Sequence, residues 1–459
     1  MKRQKNSIFV KNPSIANINS MMNFYKLGNY IEAIKLAELS IHKFPKHQFS
    51  WKVLGASYKQ VKQFDKSLIA NEMAVNLFPS DAEANNNLGV TLQDLGRHRD
   101  AEKIFLKAIN LKENFAEANY NLAITLQELG RNTEAINRYT IALEIKSDYA
   151  EVYSNLGQAL QEIGSLEEAE KNYRKAISFR LNDSKTYAHL ASCLIDKGDF
   201  ENAKFILQSG LDVEPKEWSL HFYTSVYFYK INKLIFSQEK MELAKSIAPT
   251  NKIDMIELAL MAISSDIAIL NRNDIFLKEQ VISKTLIYSR KVDDNLIEYL
   301  NKLNTRQLDG TIDARFGNGR CSTDLSFLND PCLLIKTVSE DLKKICSLAF
   351  ASEVFICDSF FNIFSSGAGT IEHNHIGPQD KYFNLSMRKY SLIYYVDIGD
   401  QNCDQPGFLN ICNPNEIVVP LNGMIVIFEA TRNHSAIYNG KKDRVLIALN
   451  FYCYIDSMH

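Results

Sequence analysis

Histidines are scarce in the second half of the chain, and their spacing is typical of a metal site. Between His221 and the terminal His459, the only histidines are His373, His375 and His434. Imidazole can bind a first-row transition metal and leave coordination positions open for other ligands. A His-x-His pair followed about sixty residues later by one more histidine is typical of a small β-barrel whose early and late strands are neighbours. We therefore expect these three side chains to bind one metal ion.

The segments around these histidines have the composition of β-strands. β-Branched and aromatic residues dominate RKYSLIYYVDI, MIVIFEA and RVLIALNFYCY, and Gly, Pro and Asn separate the segments. In a strand, residues i and i+2 point to the same face of the sheet. His373 and His375 can therefore both point into the mouth of a barrel.

Arg444 is the one arginine in a strand that is otherwise apolar, and it lies ten residues after His434. A guanidinium group in such a place requires an anionic partner, because an unpaired buried charge is costly. A dicarboxylate would supply that partner. The sequence thus predicts an acidic small molecule as a ligand of this region.

Together these motifs resemble the double-stranded β-helix of the 2-oxoglutarate- and Fe(II)-dependent oxygenases, close to the prolyl-hydroxylase-like branch. In that branch an aromatic-x-x-Gly element leads to the first iron ligand, Arg-x-x-Thr/Ser opens a strand, and Pro-x-x-Gly precedes a strand ending in Phe. The distal histidine and a basic residue follow. The residues of this chain that match are, in order, Phe364, Gly367, His373, Arg388, Ser391, Pro420, Gly423, Phe428, His434 and Arg444.

The resemblance implies a dioxygenase that hydroxylates a protein or peptide, with Fe(II) and 2-oxoglutarate as its cofactors. Dioxygen would be the oxidant, and its reaction would couple decarboxylation of 2-oxoglutarate to succinate and CO2 with hydroxylation of the substrate. Arg444 would anchor 2-oxoglutarate, and no catalytic residue is expected beyond the metal ligands. The expected metal ligands are His373, His375 and His434. The further residues expected to line the 2-oxoglutarate site are Asn362, Ser391 and Tyr395.

One position departs from the family pattern. Where the family usually has the aspartate of a two-His-one-carboxylate site, this chain has His375. Three interpretations are open: a three-histidine site, a carboxylate supplied by Glu372 or Asp380, or a catalytically inactive barrel in a protein-interaction scaffold. A cupin-like enzyme that uses the histidines without 2-oxoglutarate is a further alternative. Arg444 argues against it, because such a site has no need of a buried arginine.

The N-terminal half repeats every 34 residues from residue 14 to residue 251. Gly96, Gly130 and Gly164 mark the inter-helix turn in three successive units. Because one helix pair cannot bury its apolar face alone, we expect seven stacked units that form a solenoid with a concave groove. In the unit 48–81, the residues that match the tetratricopeptide signature are Trp51, Leu54, Gly55, Tyr58, Ala74 and Pro79.

A row of side-chain amides recurs with the same period. Asn87, Asn121 and Asn155 are each the sixth residue of their unit. A side-chain amide both donates and accepts, so such a row can bind the backbone of an extended peptide. The row resembles the asparagine ladder of the protein O-GlcNAc transferases. The alternative is that these residues cap or bridge helices. Three glutamines recur with the same period: Gln93, Gln127 and Gln161.

Composition adds the remaining expectations. A chain of 459 residues is too long for one hydrophobic core, so several domains are expected. A net charge of −2 gives no polybasic attraction to nucleic acid or membrane, so neither is expected as a partner. The expected partner is a polypeptide bound in the groove of the solenoid. Residues 1–20 lack the apolar core of a signal peptide, no 18-residue apolar run follows, and the eight cysteines are scattered. We therefore expect a cytoplasmic protein with reduced thiols.

The predicted fold is multidomain: an all-α tetratricopeptide solenoid followed by a mainly-β double-stranded β-helix, or jelly roll, with flanking helices. The predicted segments are an N-terminal tail at 1–13, the solenoid at 14–251, a helical cap or linker at 252–303, and the oxygenase-like domain at 304–459.

Overall fold

The structure is a computed structural model, and it describes residues 12–180, 182–271, 285–308, 319–323 and 325–454. Of the predicted N-terminal tail, residues 1–11 therefore lie outside the described residues. The chain divides into two compact units, with the boundary between Val213 and Glu214. No helix of the described ranges is long and apolar enough to cross a bilayer.

Helices account for the first unit. They are α1 (Ile15–Lys26), α2 (Tyr30–Lys43), α3 (Gln48–Gln60), α4 (Phe64–Leu77), α5 (Ala82–Asp94), α6 (His98–Leu111), α7 (Ala116–Glu128), α8 (Asn132–Ile145), α9 (Ala150–Glu162), α10 (Leu166–Phe179), α11 (Ser184–Lys197) and α12 (Phe200–Val213). Each predicted 34-residue unit between residues 14 and 217 contributes one helix pair, and successive pairs pack on one another. The predicted helix pairs are confirmed here.

Small residues allow the two helices of a pair to approach closely. Ala135, on the second helix of its pair, is completely buried at this contact. A Cβ atom on Gly157 would lie 2.7 Å from Cε1 of Tyr173, so only glycine permits this tyrosine to pack against α9. The predicted turn glycines Gly130 and Gly164 have φ values of +73° and +82°, which end each first helix with a left-handed residue.

The second unit begins with helices and continues as a mainly-β region. Its helices are α13 (Trp218–Lys230), α14 (Leu234–Ile247), α15 (Ile253–Asn271), α16 (Leu296–Lys302) and α17 (Leu333–Phe350). α13 and α14 are the seventh predicted helix pair, and α15 packs against α14. This pair groups with the C-terminal region and not with the six preceding pairs.

Two antiparallel sheets form the rest of the second unit. The strands are β1 (Leu286–Ser289), β2 (Thr305–Leu308), β3 (Gly319–Ser322), β4 (Glu353–Phe364), β5 (Ala368–His373), β6 (Lys389–Asp397), β7 (Leu409–Ile411), β8 (Glu416–Val418), β9 (Met424–Glu429), β10 (His434–Tyr438) and β11 (Arg444–Tyr454). The large sheet has the order β1-β9-β6-β11-β4-β3-β2, and the small sheet has the order β5-β10-β7-β8. The mainly-β prediction is confirmed.

Both faces of the large sheet are buried. Tyr395 and Phe428 on its inner face share an apolar cluster with Leu409 and Tyr438 of the small sheet, so the two sheets pack face to face. The outer face packs against α17, whose Ile335, Val338 and Leu342 are fully buried. Burial on both faces explains why β6 and β11 are nearly continuous apolar runs.

The prediction of helix throughout 252–303 is wrong at one place. α15 and α16 are helical, residues 272–284 lie outside the described ranges, and Leu286–Ser289 is strand β1. Leu286 pairs with Ile427 of β9, so β1 is an edge strand of the large sheet. A four-residue apolar segment gives no reliable period, and its pairing with a segment far along the chain decides its conformation. The large sheet therefore begins before residue 304.

The segment 376–388, which follows the first two histidines, packs on the preceding helices. The ring of Phe383 lies 5.1 Å from that of Tyr229 and 6.0 Å from that of Phe222, measured between centroids. Arg388, which matched the strand-opening motif, donates to Asp266 of α15 over 2.6 Å. The seventh helix pair and α15 thus hold the segment that leads away from the histidines.

Replacing Phe383 by alanine in the full chain tests this contact. Phe383 is 1% exposed, and large-to-small core substitutions of this kind cost about 3–5 kcal/mol of unfolding free energy. Met387 lies in the same segment but is 66% exposed, so Met387→Ala should change the unfolding free energy by less than about 0.5 kcal/mol. Denaturant unfolding measures both values. If both substitutions lower the unfolding free energy equally, the packing of Phe383 on the helices does not stabilise this segment.

Candidate metal site

The structure brings the three predicted histidines together. His373 ends β5, His375 follows two residues later, and His434 begins β10. β5 and β10 are paired, with His373 directly opposite His434. The possible ligand nitrogens of the three imidazoles all lie within 4.8 Å of one another. Within the described ranges, this is the one group of three His, Cys, Asp or Glu side chains with such spacing.

Local irregularity in β5 determines which side chains face the histidine cluster. His434 pairs with His373, but Ala436 pairs with Thr370, so β5 contains one extra residue between these pairs. The same strands approach very closely at Gly369, where a Cβ atom would lie 2.1 Å from the carbonyl oxygen of Ala436. The bulge and the glycine together place His373 beside His434.

The geometry suits a shared metal ion. Nε2 of His375 and Nε2 of His434 are 3.2 Å apart. Two imidazole nitrogens bound to one ion at about 2.0–2.1 Å are separated by roughly 3.0–3.4 Å. Burial, with a contribution from nearby His373, lowers the pKa of His434 to about 3. His434 is therefore neutral at pH 7, and the neutral form is the one that binds a metal.

Neither alternative carboxylate belongs to the cluster. Asp380 is completely buried and forms an ion pair with Lys389, with its carboxylate 2.9 Å from Nζ. It also accepts from the amide of Gly377 and from the hydroxyl of Tyr452. Glu372 accepts from the side chain of Asn433 at 3.0 Å. In the described structure both carboxylates thus have other partners, and neither is grouped with the three imidazoles.

A cavity between the two sheets joins the histidines to Arg444. His375 and His434 line one part of it. The four residues predicted for the 2-oxoglutarate site line it as well: Asn362, Ser391, Tyr395 and Arg444. The structure thus brings all of these predicted side chains to one place. The cavity is narrow, about 40 Å³, which is room for a few water molecules.

Arg444 is 1% exposed and has no carboxylate partner in the described part of the chain. Its Nε donates to the carbonyl oxygen of Ile398 at 3.1 Å, and its terminal nitrogens donate to those of Gly407 and Pro406. The ring of Tyr438 lies 4.6 Å from the guanidinium carbon. Burial lowers the pKa of Arg444. Arg444 is therefore buried, as predicted, and the three backbone carbonyl groups fix the orientation of its guanidinium plane.

The other three predicted residues that line the cavity differ in their hydrogen bonds. Ser391 donates to Oδ1 of Asn450 at 2.7 Å. Tyr395 is fully buried, which raises its pKa to about 12. Asn362 is also buried, and its Oδ1 accepts no hydrogen bond from any described residue. Such an oxygen at a cavity wall can accept a hydrogen bond from a ligand or a water molecule, and buried polar groups are costly without a partner.

Two residues of this site are not among those predicted from the sequence. Asn450 lines the cavity and lies 3.4 Å from Nδ1 of His375. Arg432 is buried two residues before His434 and bonds the carbonyl oxygens of Cys412 and Pro414. The sequence does carry a signal for Asn450, because it is the one side-chain amide in the apolar segment RVLIALNFYCY. Arg444 was identified in a similar way, as the one arginine of that segment.

The predicted groove residues lie on the first helices of three successive pairs, and all three are partly exposed. Nδ2 of Asn121 donates to Oδ1 of Asn86 at 3.0 Å, and Nδ2 of Asn155 donates to the hydroxyl of Tyr120 at 3.1 Å. These bonds join neighbouring repeat units. For Asn121 and Asn155 the structure therefore contains the alternative role of bridging helices, and peptide binding by Asn87, Asn121 and Asn155 stays a prediction.

Comparison with known proteins identifies the repeats. Tetratricopeptide-repeat family models match residues 80–147, 114–182 and 184–217, so the chain contains tetratricopeptide repeats, as predicted. A search of curated proteins found no match.

Similar solved structures include MamA, with 25% identity over 36% of this chain and 96% of that chain and a TM-score of 0.34. YrrB, described as a TPR protein with an unusual peptide-binding site, has 18% identity over 40% and 95% of the two chains, with a TM-score of 0.34. PilF of Pseudomonas aeruginosa has 18% identity over 44% and 92%, with a TM-score of 0.40.

Single substitutions of the histidines test the metal site. Replacing His373, His375 or His434 by alanine removes one ligand, so each change should weaken Fe(II) or Co(II) binding by more than the roughly 10- to 100-fold typical of losing a residue that only supports a ligand. Anaerobic metal titration measures this. Glu372→Ala is the matched control, because Glu372 is adjacent to His373 but exposed. If a histidine variant binds the metal as tightly as wild type, that histidine is not a metal ligand.

Proposed function

We propose that this chain binds a polypeptide through its tetratricopeptide repeats and hydroxylates it in the C-terminal region, as an Fe(II)- and 2-oxoglutarate-dependent dioxygenase. The interaction part has the stronger support, since repeats of this kind commonly bind peptides or partner proteins. The catalytic part rests chiefly on one observation. His375, His434 and the buried Arg444 line the same cavity between two antiparallel sheets.

The arrangement of the sheets supports this proposal. A large and a small antiparallel sheet that pack face to face are what a double-stranded β-helix contains. The candidate ligands His373 and His434 lie on the small sheet, and Arg444 begins a central strand of the large sheet. In the proposed assignment, the metal and the 2-oxoglutarate carboxylate bind between the sheets.

The donor set suits iron, among other first-row metals. His373, His375 and His434 would hold the ion, and imidazole is an accepted ligand of Fe, Zn, Cu and Ni. Bound together, Fe(II) and 2-oxoglutarate would activate dioxygen, the oxidant, of which one oxygen atom would go to succinate and the other to the hydroxylated C–H bond. The three neutral imidazoles contribute no negative charge, so they leave the charge of a divalent ion to attract an anionic co-substrate.

Arg444 would bind the second carboxylate of 2-oxoglutarate. The carbonyl groups of Ile398, Pro406 and Gly407 hold the guanidinium in place before a ligand arrives, which reduces the ordering cost of binding. Apolar side chains such as Phe364 and Leu409 line the cavity, so a ligand bound there would have little water around it. In such surroundings an ion pair between Arg444 and a carboxylate is poorly screened.

A protein-interaction scaffold with a catalytically inactive barrel is the second candidate. Two observations favour it: the family matches fall within the repeats, and the cavity is narrow for a five-carbon diacid. Both candidates share the interaction function. Formation of succinate from 2-oxoglutarate by the full chain with Fe(II) and dioxygen would separate them, because only the dioxygenase produces it.

The Arg444→Ala variant tests the co-substrate site. Loss of one partner of a buried charge pair costs roughly 2–5 kcal/mol, so 2-oxoglutarate should bind about 30- to 5000-fold more weakly. Metal affinity should not change, because Arg444 is not a ligand. Arg320→Ala is the matched control, since Arg320 lies in β3 of the same sheet and is half-exposed in an ion pair with Asp443. If the metal-loaded wild type does not bind 2-oxoglutarate, the dioxygenase proposal fails.

The triple replacement of Asn87, Asn121 and Asn155 by alanine tests the interaction site. At roughly 0.5–1.5 kcal/mol for each lost hydrogen bond, binding to extended peptides should weaken about 10- to 2000-fold. An unbiased array of unstructured peptides probed with the full chain measures this. Asn110 and Asn137 are exposed on second helices, so their double replacement by alanine is the control. A triple variant with a lower unfolding midpoint but unchanged peptide binding would show that these amides only bridge helices.

A further inference from the structure

His375 lies outside the strand pairing that holds the other two histidines. His373 and His434 face each other in the paired strands β5 and β10. β5 ends at His373, so His375 is two residues beyond the end of the strand. A metal ligand must be held within about 0.5 Å of its bonding position. Contacts other than the pairing of β5 with β10 must therefore hold the third imidazole.

The backbone of His375 is attached to the start of β6 through one buried residue. The amide of His375 donates to the carbonyl oxygen of Ala430 at 3.0 Å, and the amide of Ala430 donates to the carbonyl oxygen of Lys389 at 3.0 Å. Ala430 is completely buried and directly follows β9. These two hydrogen bonds link His375 to the first residue of β6.

The side chain of Lys389 contacts the same segment further along. Its Nζ lies 2.9 Å from Oδ2 of Asp380, which is five residues after His375. The same oxygen accepts from the amide of Gly377 at 2.6 Å, and the hydroxyl of Tyr452 on β11 donates to the other oxygen. Segment 375–380 is therefore attached to Lys389 at both ends, through the lysine backbone at His375 and through the lysine side chain at Asp380.

Burial makes the side-chain attachment strong. Asp380 is completely buried, and Lys389 is 4% exposed. Hydrogen bonds that involve ionised groups are roughly twice as strong as those between neutral groups, and loss of one partner of a buried ion pair is strongly destabilising. Separating Asp380 from Lys389 is therefore unfavourable, and the turn from His375 to Asp380 keeps one conformation.

We propose that Asp380 is a positioning residue of the metal site, which holds His375 in the cluster by closing a ring of contacts. The backbone half of the ring runs from His375 through Ala430 to Lys389. The side-chain half runs from Lys389 through Asp380 to the amide of Gly377. This inference rests on the metal site of the proposed function. It assigns a role to Asp380 other than that of the alternative ligand that the sequence suggested.

Amide exchange in the metal-free full chain tests the ring itself. Asp380→Asn keeps the shape of the side chain but removes the ion pair, so the amides of His375 and Gly377 should exchange at least about 10-fold faster. Hydrogen exchange read by mass spectrometry with electron-transfer fragmentation measures these amides. Unchanged exchange at both, or an equal acceleration of the amides of β10, would overturn the proposal.

Asp397→Asn is the matched control. Asp397 ends β6, is 6% exposed, pairs with Lys442 at 2.8 Å and accepts from the amide of Gly399 at 2.9 Å. It thus has the same kinds of partner as Asp380, but at the other end of β6. The control should speed exchange at Gly399 and leave the amide of His375 unchanged. A control that speeds exchange at His375 as much as Asp380→Asn does would also overturn the ring.

Co(II) titration of four full-length chains tests the consequence for metal binding: wild type, Asp380→Asn, His375→Ala and the double variant. Residues that orient a metal-ligating histidine change metal affinity by roughly 10- to 100-fold, so Asp380→Asn should weaken Co(II) binding by that factor. In the His375→Ala background it should change the affinity by less than about 2-fold, because the ligand that it positions is gone. Equal weakening in both backgrounds would show a general structural role and contradict the proposal.

Tyr452→Phe replaces Asp380→Asn in both measurements if the latter does not fold. Tyr452 is 1% exposed, and phenylalanine keeps its ring but removes one donor to Asp380, so exchange at His375 should be about 3-fold faster or more. No change in this variant would then overturn the proposal. If wild type binds no Co(II), the proposed metal site fails, while amide exchange still decides whether Asp380 holds His375.

Discussion

The antiparallel pairing of β5 with β10 is the constraint on which the candidate site depends. It places His373 directly opposite His434, and the extra residue in β5 adjusts which side chains face the cluster. No local sequence preference could bring these residues together, since they lie far apart in the chain. The backbone hydrogen bonds of the small sheet hold them, and the apolar cluster shared with Tyr395 and Phe428 keeps that sheet against the large one.

The charges around the site are distributed unusually. The cluster contains three imidazoles and no carboxylate, and the hydrogen bonds of the buried Arg444 to described residues go to backbone carbonyl oxygens. The nearby buried acids are already engaged, Asp380 by Lys389 and Asp358 by Asn450. A region with this balance favours an anion, because an anion would offset both a bound metal ion and the guanidinium. This balance of charges is the reason why the proposed function includes an anionic co-substrate.

The seventh helix pair belongs structurally to the region that carries the histidines. Aromatic contacts of Phe383 and the ion pair of Arg388 with Asp266 fix the segment that follows His375. The six preceding helix pairs pack on one another. The seventh pair also packs on the segment that follows His375, so it helps to position the histidine region. The 34-residue period gave no sign of this difference, because α13 and α14 keep the spacing of the array.

The sequence alone determined the features that are written in short-range patterns. The 34-residue period gives the helix pairs, the runs of β-branched and aromatic residues give the strands of the C-terminal region, and the rarity of histidine identifies His373, His375 and His434. The lone arginine of an apolar strand identifies Arg444 in the same way.

Tertiary structure decided what depends on contacts between distant segments. Leu286–Ser289 is a strand because it pairs with β9, and Asn121 bridges repeats because Asn86 lies on the neighbouring helix. Asn450 reaches His375 only through the register of β11 between β4 and β6. Strand register and helix packing are set by the burial of whole faces, which no single stretch of sequence specifies.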